Sequence, residues 1–368
     1  VDCALLKQNQ TMESTDAPQI IEMVNHSCAF TPFETRWIPS SARFVVLGQL
    51  PKATGTIQIF ELTAGGEIEC KAKVEKPGGL KCGTFGASSL DQRSVATGDY
   101  KGNLNVYDLE RLDTPSFSVQ GHDGLINAID GVGGLNIGCG APEIVTGGRD
   151  GCVRVWDPRV AEPVVSLEPE SAAETRDCWT VAFGNSYNDE ERCVAAGFDN
   201  GDVKLFDLRM GRMVWEENVG NGVTSVQFDR KDIEMNKLCC TTLEGNFRIF
   251  DLRTYHSEKG YAMLKERAHK STVWCAAHMP QNRELFATTG GNGGINLYRY
   301  SYPSKRTVKD SEGQLEGVAG TTELLNARII GSQPIVSFDW SPDKEGLAVM
   351  ACLDQTVRVQ ICTKLDRY

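Results

Sequence analysis

The stretch GCVRVWDP, which runs from Gly151 to Pro158, decides the fold of this chain. Its apolar residues Val153 and Val155 flank the polar residue Arg154. Because successive side chains of a β-strand point to opposite faces, this alternation predicts a strand with one apolar face. The pattern recurs in six further stretches: GTIQIFEL from Gly55, GNLNVYDL from Gly102, GDVKLFDL from Gly201, GNFRIFDL from Gly245, GGINLYRY from Gly293 and QTVRVQIC from Gln355.

The spacing of the seven stretches indicates a repeat architecture. Successive copies start between 44 and 62 residues apart, close to the roughly 40–45 residues of one four-stranded blade in a WD-repeat propeller. Short apolar strands flank each copy, such as Trp179–Phe183, Cys193–Ala196 and Met213–Val219 in the fourth unit. We therefore predict an all-β fold, a seven-bladed WD-repeat β-propeller.

The seventh unit ends after its third strand, so its fourth strand must come from elsewhere in the chain. Residues Gln19–Val24 have the pattern of an apolar strand ahead of the first blade. If this segment pairs with Thr356–Ile361, it closes the ring and removes two exposed sheet edges. We expect one propeller over residues 18–368, preceded by a flexible tail over residues 1–17, which is polar and lacks a periodic pattern.

The longest interval between copies contains an insertion, Ser301–Gly320, between the third and fourth strands of blade six. Such connections share one propeller face with the first-to-second strand connections, which are also long at Gly131–Glu143, Gly184–Arg192 and Asp229–Lys237. We interpret the insertion as a partner-binding loop, and a mobile solvated loop is the alternative. Its candidate partner-binding residues are Lys305, Arg306, Lys309, Asp310 and Glu312.

Four residues of the third blade resemble the structural tetrad of WD-repeat proteins: His122, Thr146, Asp150 and Trp156. In this tetrad the histidine bridges the turn aspartate and the threonine hydroxyl, and the hydroxyl meets the tryptophan indole. Such a buried network is stabilising when every member is paired. A histidine, an aspartate and a hydroxyl also occur in hydrolase triads, but here every member matches a scaffold position of the repeat.

Other blades carry weaker versions of the tetrad. Blade six has His269, Thr289 and Tyr298 but has Asn292 at the turn, and blade five has Glu244 and no histidine. We expect the third blade to be the most rigid.

Three consecutive blades end in Asp-x-Arg, and their arginines are Arg159, Arg209 and Arg253. This motif resembles the signature by which WD-repeat substrate receptors bind the damaged-DNA-binding adaptor of cullin-RING ubiquitin ligases. An exposed arginine can form a bidentate pair with a partner carboxylate. The alternative is that each arginine ties its blade to a neighbouring blade through a surface ion pair, which is worth little energy.

Composition points to protein partners. The net charge of -11 opposes a nucleic-acid surface, since affinity for phosphates comes mainly from clustered lysine and arginine. Thirteen cysteines without a CxxC pair, four of them in strand patterns (Cys193, Cys239, Cys240, Cys352), indicate reduced core residues. No apolar run is long enough to span a membrane and no secretory leader is evident, so we expect a cytoplasmic protein.

The motifs of common enzyme classes are absent from the sequence. There is no GxxxxGK[ST] loop, no nucleophile elbow, no HExxH, and no histidine–cysteine spacing typical of a metal site. We therefore expect neither catalysis nor a cofactor or metal, and we expect the isolated chain to be a monomer.

Long stretches between the repeats resemble the Monad family, WD-repeat proteins counted among the axonemal dynein assembly factors. The resemblance extends from about Pro18 to the carboxyl end and is carried by KCGTFGASSLDQRSVATGDYKGNL from Lys81, INAIDGVGGLNIGCGAPEIVTGGRDG from Ile126, RDCWTVAFGNSYNDEER from Arg176, DRKDIEMNKL from Asp229, AHKSTVW from Ala268, SPDKEGLAVMACLDQTVRV from Ser341, and KDSEGQLEGVAG in the insertion.

The resemblance implies a cytoplasmic adaptor that works with the chaperone assembly of RuvB-like ATPases, a tetratricopeptide co-chaperone and prefoldin-like subunits. Dynein heavy chains would be its clients before they enter cilia or flagella. A substrate receptor of a cullin-RING ubiquitin ligase is the alternative function. The two functions differ in whether binding depends on Arg159 and Arg209.

Overall fold

Each of the seven repeat stretches contributes the third strand of a four-stranded antiparallel sheet in the computed structural model, which describes residues 17–135 and 138–368. Val153 and Val155 are buried, as the alternation predicts. The first strands of neighbouring blades contact one another around the ring. The prediction of an all-β, seven-bladed propeller is confirmed.

The strands are numbered in chain order, and β1 (Gln19–Ser27) precedes the first complete blade. Blade one contains β2 (Thr31–Trp37), β3 (Arg43–Gln49), β4 (Gly55–Leu62) and β5 (Ile68–Lys76), and blade two contains β6 (Leu80–Thr84), β7 (Ser94–Asp99), β8 (Asn103–Asp108) and β9 (Phe117–Gln120). Blade three contains β10 (Ile126–Val132), β11 (Glu143–Gly148), β12 (Val153–Trp156) and β13 (Val165–Leu167), and blade four contains β14 (Cys178–Gly184), β15 (Cys193–Phe198), β16 (Asp202–Asp207) and β17 (Arg212–Asn218).

Blade five contains β18 (Val223–Phe228), β19 (Lys237–Thr242), β20 (Asn246–His256) and β21 (Gly260–Arg267). Blade six contains β22 (Val273–Met279), β23 (Asn282–Gly290), β24 (Gly294–Ser301) and β27 (Thr321–Ile329), with a separate hairpin of β25 (Thr307–Lys309) and β26 (Leu315–Gly317) between its last two strands. Blade seven contains β28 (Ile335–Trp340), β29 (Leu347–Cys352), β30 (Thr356–Thr363) and β1.

The helical segments of the described residues are two short 3-10 turns, Ala172–Glu174 and Leu365–Arg367. No helix in residues 17–135 and 138–368 is long and apolar enough to cross a membrane.

The ring closes through β1 and β30, as the sequence predicts. The two strands pair antiparallel from Gln19 opposite Thr363 to Ser27 opposite Thr356. Ile20 is buried in the core between blades six and seven, and Arg358 Nη1 lies 2.6 Å from the Glu22 carboxylate. The tail expected over residues 1–17 lies, except for residue 17, outside the described residues.

Both faces of each third strand are covered, because neighbouring blades pack face to face. Arg154 faces away from the apolar core that contains Val153 and Val155, as the alternation predicts, and it lies against the segment that enters its own blade. Its Nη1 donates to the carbonyl oxygen of Gly121 at 2.7 Å. Equivalent bonds of 2.7 Å join Arg248 to Val219 and Asn296 to Ala268. The polar residue of the repeat therefore fastens the start of the blade in at least three units.

The connections between first and second strands and between third and fourth strands lie on one side of the ring, which we call the loop face. The long connections that the sequence predicts are of these two kinds. The backbone N–H of Ser186, between β14 and β15, donates to the carbonyl oxygen of Lys231, between β18 and β19. The backbone N–H of Cys139, between β10 and β11, donates to the carbonyl oxygen of Ser186. The connections of three blades thus form one continuous surface.

Candidate functional site

The insertion of blade six packs on blade five of the loop face. Gly317 of β26 lies so close to Thr254 and Ala262 that an added Cβ would come within 2.6 and 2.7 Å of their side chains. Lys259 Nζ lies 2.7 Å from the Glu316 carboxylate. The insertion is therefore bound to the neighbouring blade, in contrast to the mobile solvated loop of the alternative interpretation.

A second contact fixes the hairpin turn. The buried His256 at the end of β20 has Nε2 3.4 Å from the Asp310 carboxylate, and its Nδ1 accepts hydrogen bonds from the backbone N–H groups of Glu258 and Lys259. Asp310 also accepts hydrogen bonds from the backbone N–H groups of Glu312 and Gln314. These donors hold the pKa of Asp310 below its usual value, although desolvation opposes them.

Arg306 is the main attachment of the insertion. Its Nε donates to Oδ2 of Asp251 at 2.8 Å and its Nη2 donates to Oδ1 of the same carboxylate. Nη2 also donates to Oδ1 of Asn236 at 3.0 Å, and the guanidinium lies 4.8 Å from the ring centre of Tyr302. Asp251 is 1% exposed. The ion pair therefore supplies a buried carboxylate of blade five with its counter-ion.

A buried polar cluster lies beneath this attachment. Asn236 Nδ2 donates to the Asp229 carboxylate at 2.7 Å and to the hydroxyl of Tyr302 at 2.5 Å. The side chain of Lys237 is fully buried between the rings of Tyr300 and Tyr302. Its Nζ lies 4.8 Å from the centroid of the Tyr300 ring and 4.9 Å from that of the Tyr302 ring. Its Nζ donates to the carbonyl oxygen of Arg283 at 3.1 Å. The cluster joins blade five, blade six and the insertion.

The burial of this cluster changes its protonation. Desolvation lowers the pKa of Lys237 to about 8, although the Asp229 carboxylate 3.7 Å away acts in the opposite direction. Burial raises the pKa of the Tyr302 phenol to about 12, and it also raises the pKa of Tyr300. Lys237 is therefore the group of this cluster that titrates nearest neutral pH.

A cleft of about 810 Å³ opens between the insertion and blade five. Its walls come from the β18–β19 connection, the end of β20, the start of β23 and the insertion itself. The lining residues are Ile233, Glu234, Asn236, Leu252, Arg253, Tyr255, Arg283 and Arg306. Three arginines and a single acidic residue thus line this cleft in the described part of the chain.

The candidate residues of the insertion divide into two groups. Arg306 and Asp310 are engaged with blade five, as described above. Lys305, Lys309 and Glu312 are exposed on the loop face. The first group positions the insertion, and the second group is accessible to a partner.

The arginines of the three Asp-x-Arg motifs differ in their surroundings. Arg159 is 72% exposed in its side chain and forms a bidentate pair with Asp157 of its own motif. Arg253 Nη1 instead lies 2.5 Å from Glu234, because Arg306 occupies the Asp251 carboxylate. Arg209 is exposed, and its side chain makes no hydrogen bond or ion pair within the described residues. Neither Arg159 nor Arg253 reaches a neighbouring blade through these pairs, contrary to the interpretation that they tie blades together.

The four tetrad residues of blade three meet in one buried chain of hydrogen bonds. His122 Nδ1 lies 2.9 Å from the Asp150 carboxylate and His122 Nε2 lies 2.8 Å from the Thr146 hydroxyl. The indole N–H of Trp156 donates to that hydroxyl at 2.8 Å. The hydrogen bond and charge of His122, with two backbone N–H groups, overcome desolvation and hold the pKa of Asp150 well below its usual range.

Two details of the tetrads differ from the sequence interpretation. In blade three, Arg154 joins the network because its Nη1 lies 3.1 Å from Asp150. In blade six, the hydroxyl 3.0 Å from His269 Nε2 is that of Thr288, not that of Thr289 as the sequence interpretation had it. Thr289 lies on the other face of β23 and donates to the carbonyl oxygen of Ile335 in blade seven.

The tetrad geometry does not suit a hydrolase. Thr146 is fully buried and its hydroxyl is shared by His122 and Trp156, so a substrate has no open approach to it. Within residues 17–135 and 138–368, no group of three or more His, Cys, Asp or Glu side chains could hold a metal ion.

Sequence reasoning did not identify Asn236, Tyr255 or Arg283 as site residues. Arg283 lies in no motif, and it joins the cleft only because blades five and six are adjacent. For Thr288 the sequence does contain a signal. In blade three the hydroxyl of Thr146 and the indole of Trp156 come from residues ten positions apart. The residue ten positions before Tyr298 is Thr288.

Comparisons with known proteins give matches to propellers and to one set of full-length relatives. A family profile described as "Nucleolar protein 10-like, N-terminal domain" matches residues 141–281, and one described as "WD domain, G-beta repeat" matches residues 113–157.

Three similar relatives carry the same name, "Dynein axonemal assembly factor 10". The protein of Xenopus laevis is 56% identical over 96% of this chain and 98% of its own length. The proteins of Homo sapiens and Chlamydomonas reinhardtii are 55% and 51% identical, each over 97% of this chain and 100% of its own length. The similarity therefore extends over nearly the whole chain in both an animal and an alga.

Proposed function

The chain belongs to the family of dynein axonemal assembly factor 10, and on this premise we propose that it is a non-enzymatic scaffold that takes part in the assembly of axonemal dynein. The observation that carries the proposal is the identity of 51–56% to relatives of that name over nearly the full length. A WD-repeat propeller is a binding platform in its own right, since rigid strands hold its loops in fixed positions.

The scaffold acts in the cytoplasm, together with the chaperone assembly of RuvB-like ATPases, a tetratricopeptide co-chaperone and prefoldin-like subunits. Dynein heavy chains are its clients. Two features support an adaptor of this kind: the acidic charge of -11, which opposes nucleic-acid binding, and a loop face formed by connections from several blades.

The partner-binding surface is the loop face around the insertion. Lys305, Lys309 and Glu312 are exposed there, and Arg306 and Asp310 hold the backbone that presents them. An ordered loop loses less conformational entropy on binding than a mobile loop does. This arrangement therefore favours the insertion as a contact for a client or a co-chaperone.

The second candidate function is that of a substrate receptor for a cullin-RING ubiquitin ligase. One observation favours it: Arg209 is exposed and unpaired among the described residues, as an arginine that meets a partner carboxylate should be. Arg159 is also exposed, but it is paired with Asp157.

Affinity purification of the tagged chain from cells that are building cilia tests the proposal. We expect dynein heavy chains, RuvB-like ATPases and the tetratricopeptide co-chaperone to be enriched in quantitative mass spectrometry. The Arg209→Glu variant should retain them all. Enrichment of a cullin and its adaptor, and not of these proteins, would support the ligase function if the Arg209→Glu variant no longer bound the cullin and the adaptor.

A further inference from the structure

The cleft between the insertion and blade five combines positive and apolar groups in one concave site. Arg253, Arg283 and Arg306 are 36%, 42% and 33% exposed in their side chains, so each guanidinium lies at the boundary between protein and solvent. We propose that this cleft binds a short acidic segment of a partner protein, with carboxylate or phosphate oxygens at the arginines. This inference rests on the proposed scaffold function and specifies the chemistry of one of its partners.

The arginines still have donors available for such a ligand. Arg283 has one acidic ion-pair partner among the described residues, Asp229, whose carboxylate is 4.0 Å from its Nε. That distance exceeds the range of a hydrogen bond. Arg306 uses Nε and Nη2 for its contacts with Asp251 and Asn236, which leaves Nη1 without a partner in the described residues. A carboxylate or phosphate can therefore be bound by donors that have no hydrogen-bond partner among the described residues.

The guanidinium of Arg306 is also held in place before a ligand arrives. Asp251 and the Tyr302 ring contact it, and Asn236 connects Arg306 and Tyr302 to the buried Asp229. Lys237 lies 3.7 Å from Asp229 and offsets part of its negative charge. Because Arg306 is already ordered, binding at this arginine costs less conformational entropy than it would at a free arginine.

Arg253 shows what kind of group the cleft accepts. It is paired with the carboxylate of Glu234, the one acidic residue among the described lining residues. Glu234 is 61% exposed in its side chain, and a surface pair of this kind contributes little energy. A carboxylate of a partner can replace it without the loss of a buried contact.

The lining of the cleft also contains apolar side chains. These are Ile233, Leu252 and Tyr255, and Tyr255 is 58% exposed. Tyr255 packs edge-on against Tyr261, with 5.3 Å between ring centroids. Exposed aromatic side chains are enriched where proteins bind each other. We therefore expect the acidic segment to include one apolar residue that packs on Tyr255.

Charge explains why the segment should be acidic. The whole chain has a net charge of -11, so an acidic partner is repelled by most of its surface and is attracted where arginines converge. Complementary potentials of this kind determine orientation and specificity more than affinity. The volume of about 810 Å³ is in the usual range of ligand sites, enough for a few side chains of an extended peptide.

Fluorescence anisotropy with the full chain and three labelled peptides tests the inference. The probes are GEEEFEEEG, the same peptide with glutamine for every glutamate, and the same peptide with phosphoserine for every glutamate. We expect the acidic peptides to bind and the glutamine peptide not to bind. Tighter binding of the phosphoserine peptide would indicate a phosphorylated partner, and equal binding an acidic one.

Variants locate the binding in the cleft. Arg283→Gln should weaken binding of the acidic peptides about tenfold, because one charge-assisted contact is lost, while the fold is left intact. Arg212→Gln is the matched control, since Arg212 is exposed at the start of β17 and its side chain makes no hydrogen bond or ion pair in the described residues. Tyr255→Ala should weaken GEEEFEEEG more than GEEEAEEEG.

Two results would overturn the inference: no binding of either acidic peptide, or an equal loss with Arg283→Gln and Arg212→Gln. Neither result bears on the proposed scaffold function, which is judged by co-purification of dynein chains. Conversely, peptide binding that depends on Arg283 would stand even if the purified chain carried no dynein.

Discussion

Arg306 and Asp251 lie 55 positions apart in the chain and form a bidentate ion pair. Nε of Arg306 donates to Oδ2 of Asp251 at 2.8 Å, and Nη2 of Arg306 donates to Oδ1 of Asp251. The pair joins the insertion of blade six to the third strand of blade five. It also explains why Arg253 pairs with Glu234 and not with the aspartate of its own motif. One contact thus fixes the insertion and shapes the cleft beside it.

Substitution of Arg306 by glutamine should loosen the insertion. It removes the counter-ion of Asp251, a carboxylate that is 1% exposed, and such a loss costs about 1–3 kcal/mol. Because the insertion can detach while the blades stay folded, the effect should be local. We expect hydrogen exchange of the amides in residues 307–318 to become at least about tenfold faster, with little change in the blade cores.

Lys305→Gln is the control for that measurement, because the neighbouring Lys305 is exposed and should leave exchange unchanged. Unaltered exchange of the hairpin in the Arg306→Gln protein would mean that the ion pair does not hold the insertion.

Substitution of Asp150 by alanine should destabilise blade three. It leaves Nδ1 of the buried His122 without its partner, and an unsatisfied buried group costs about 1–3 kcal/mol. Thermal unfolding should show a clearly lower midpoint than the wild type. Asp123→Ala is the control, since Asp123 is exposed and joins the network only through its backbone N–H. Equal midpoints for the two variants would contradict the structural role of the tetrad.

Truncation from the amino end should show where the ring closes. Removal of residues 1–14 should leave stability unchanged. Removal of residues 1–24 takes away most of β1, its pairing with β30 and the buried Ile20, and it exposes the edge of β30. We expect the longer truncation to unfold at a much lower denaturant concentration or to aggregate. Identical denaturation curves for the two truncations would disprove closure by β1.

The buried Lys237 predicts a dependence of stability on pH. Its pKa is about 8 in the folded chain, against an ordinary lysine pKa of 10.5. Below pH 8 the folded state must carry a buried charge, and this cost disappears as the pH rises from about 8 toward 10.5, because the unfolded state then binds the proton more tightly. The free energy of unfolding of the wild type, relative to Lys237→Met, should therefore increase by about 2 kcal/mol between pH 7 and 9.5.

Denaturant unfolding of both proteins at the two pH values measures this difference, and the titrations common to both proteins cancel. A difference that stays constant, or that changes in the opposite direction, would show that Lys237 remains charged in the folded state over this interval.

The fold was predictable from the sequence because its determinants are local and repeated. Val153 and Val155 follow a period of two that recurs in seven third strands, and the missing fourth strand of blade seven left β1 as the segment available to close the ring. The tetrad of blade three was predictable for the same reason, since His122, Thr146, Asp150 and Trp156 all lie within one repeat.

The cleft was not predictable, because its residues are brought together by packing between units. Arg283 begins a strand of blade six, Asp251 ends a repeat motif of blade five, and neither residue indicates in sequence that the insertion lies over both. Arg306 appeared as a free partner-binding residue in the insertion, yet it is paired with a buried carboxylate. The choice of Thr289 was wrong because adjacent strand residues face opposite sides of the sheet, and the ten-residue interval before Tyr298, which indicates Thr288, was not applied.

The central claim, that the insertion on the loop face binds partners, is tested most directly by its replacement. Ser301 and Thr321 are directly paired, so an Asn-Gly turn can replace residues 302–320 and close the hairpin. Adding Asp251→Asn avoids an unpaired buried charge. With thermal unfolding as a check on the fold, we predict that co-purification of dynein heavy chains or the tetratricopeptide co-chaperone falls at least about fivefold, the effect of losing about 1 kcal/mol. Full retention of both by the folded variant would contradict the claim.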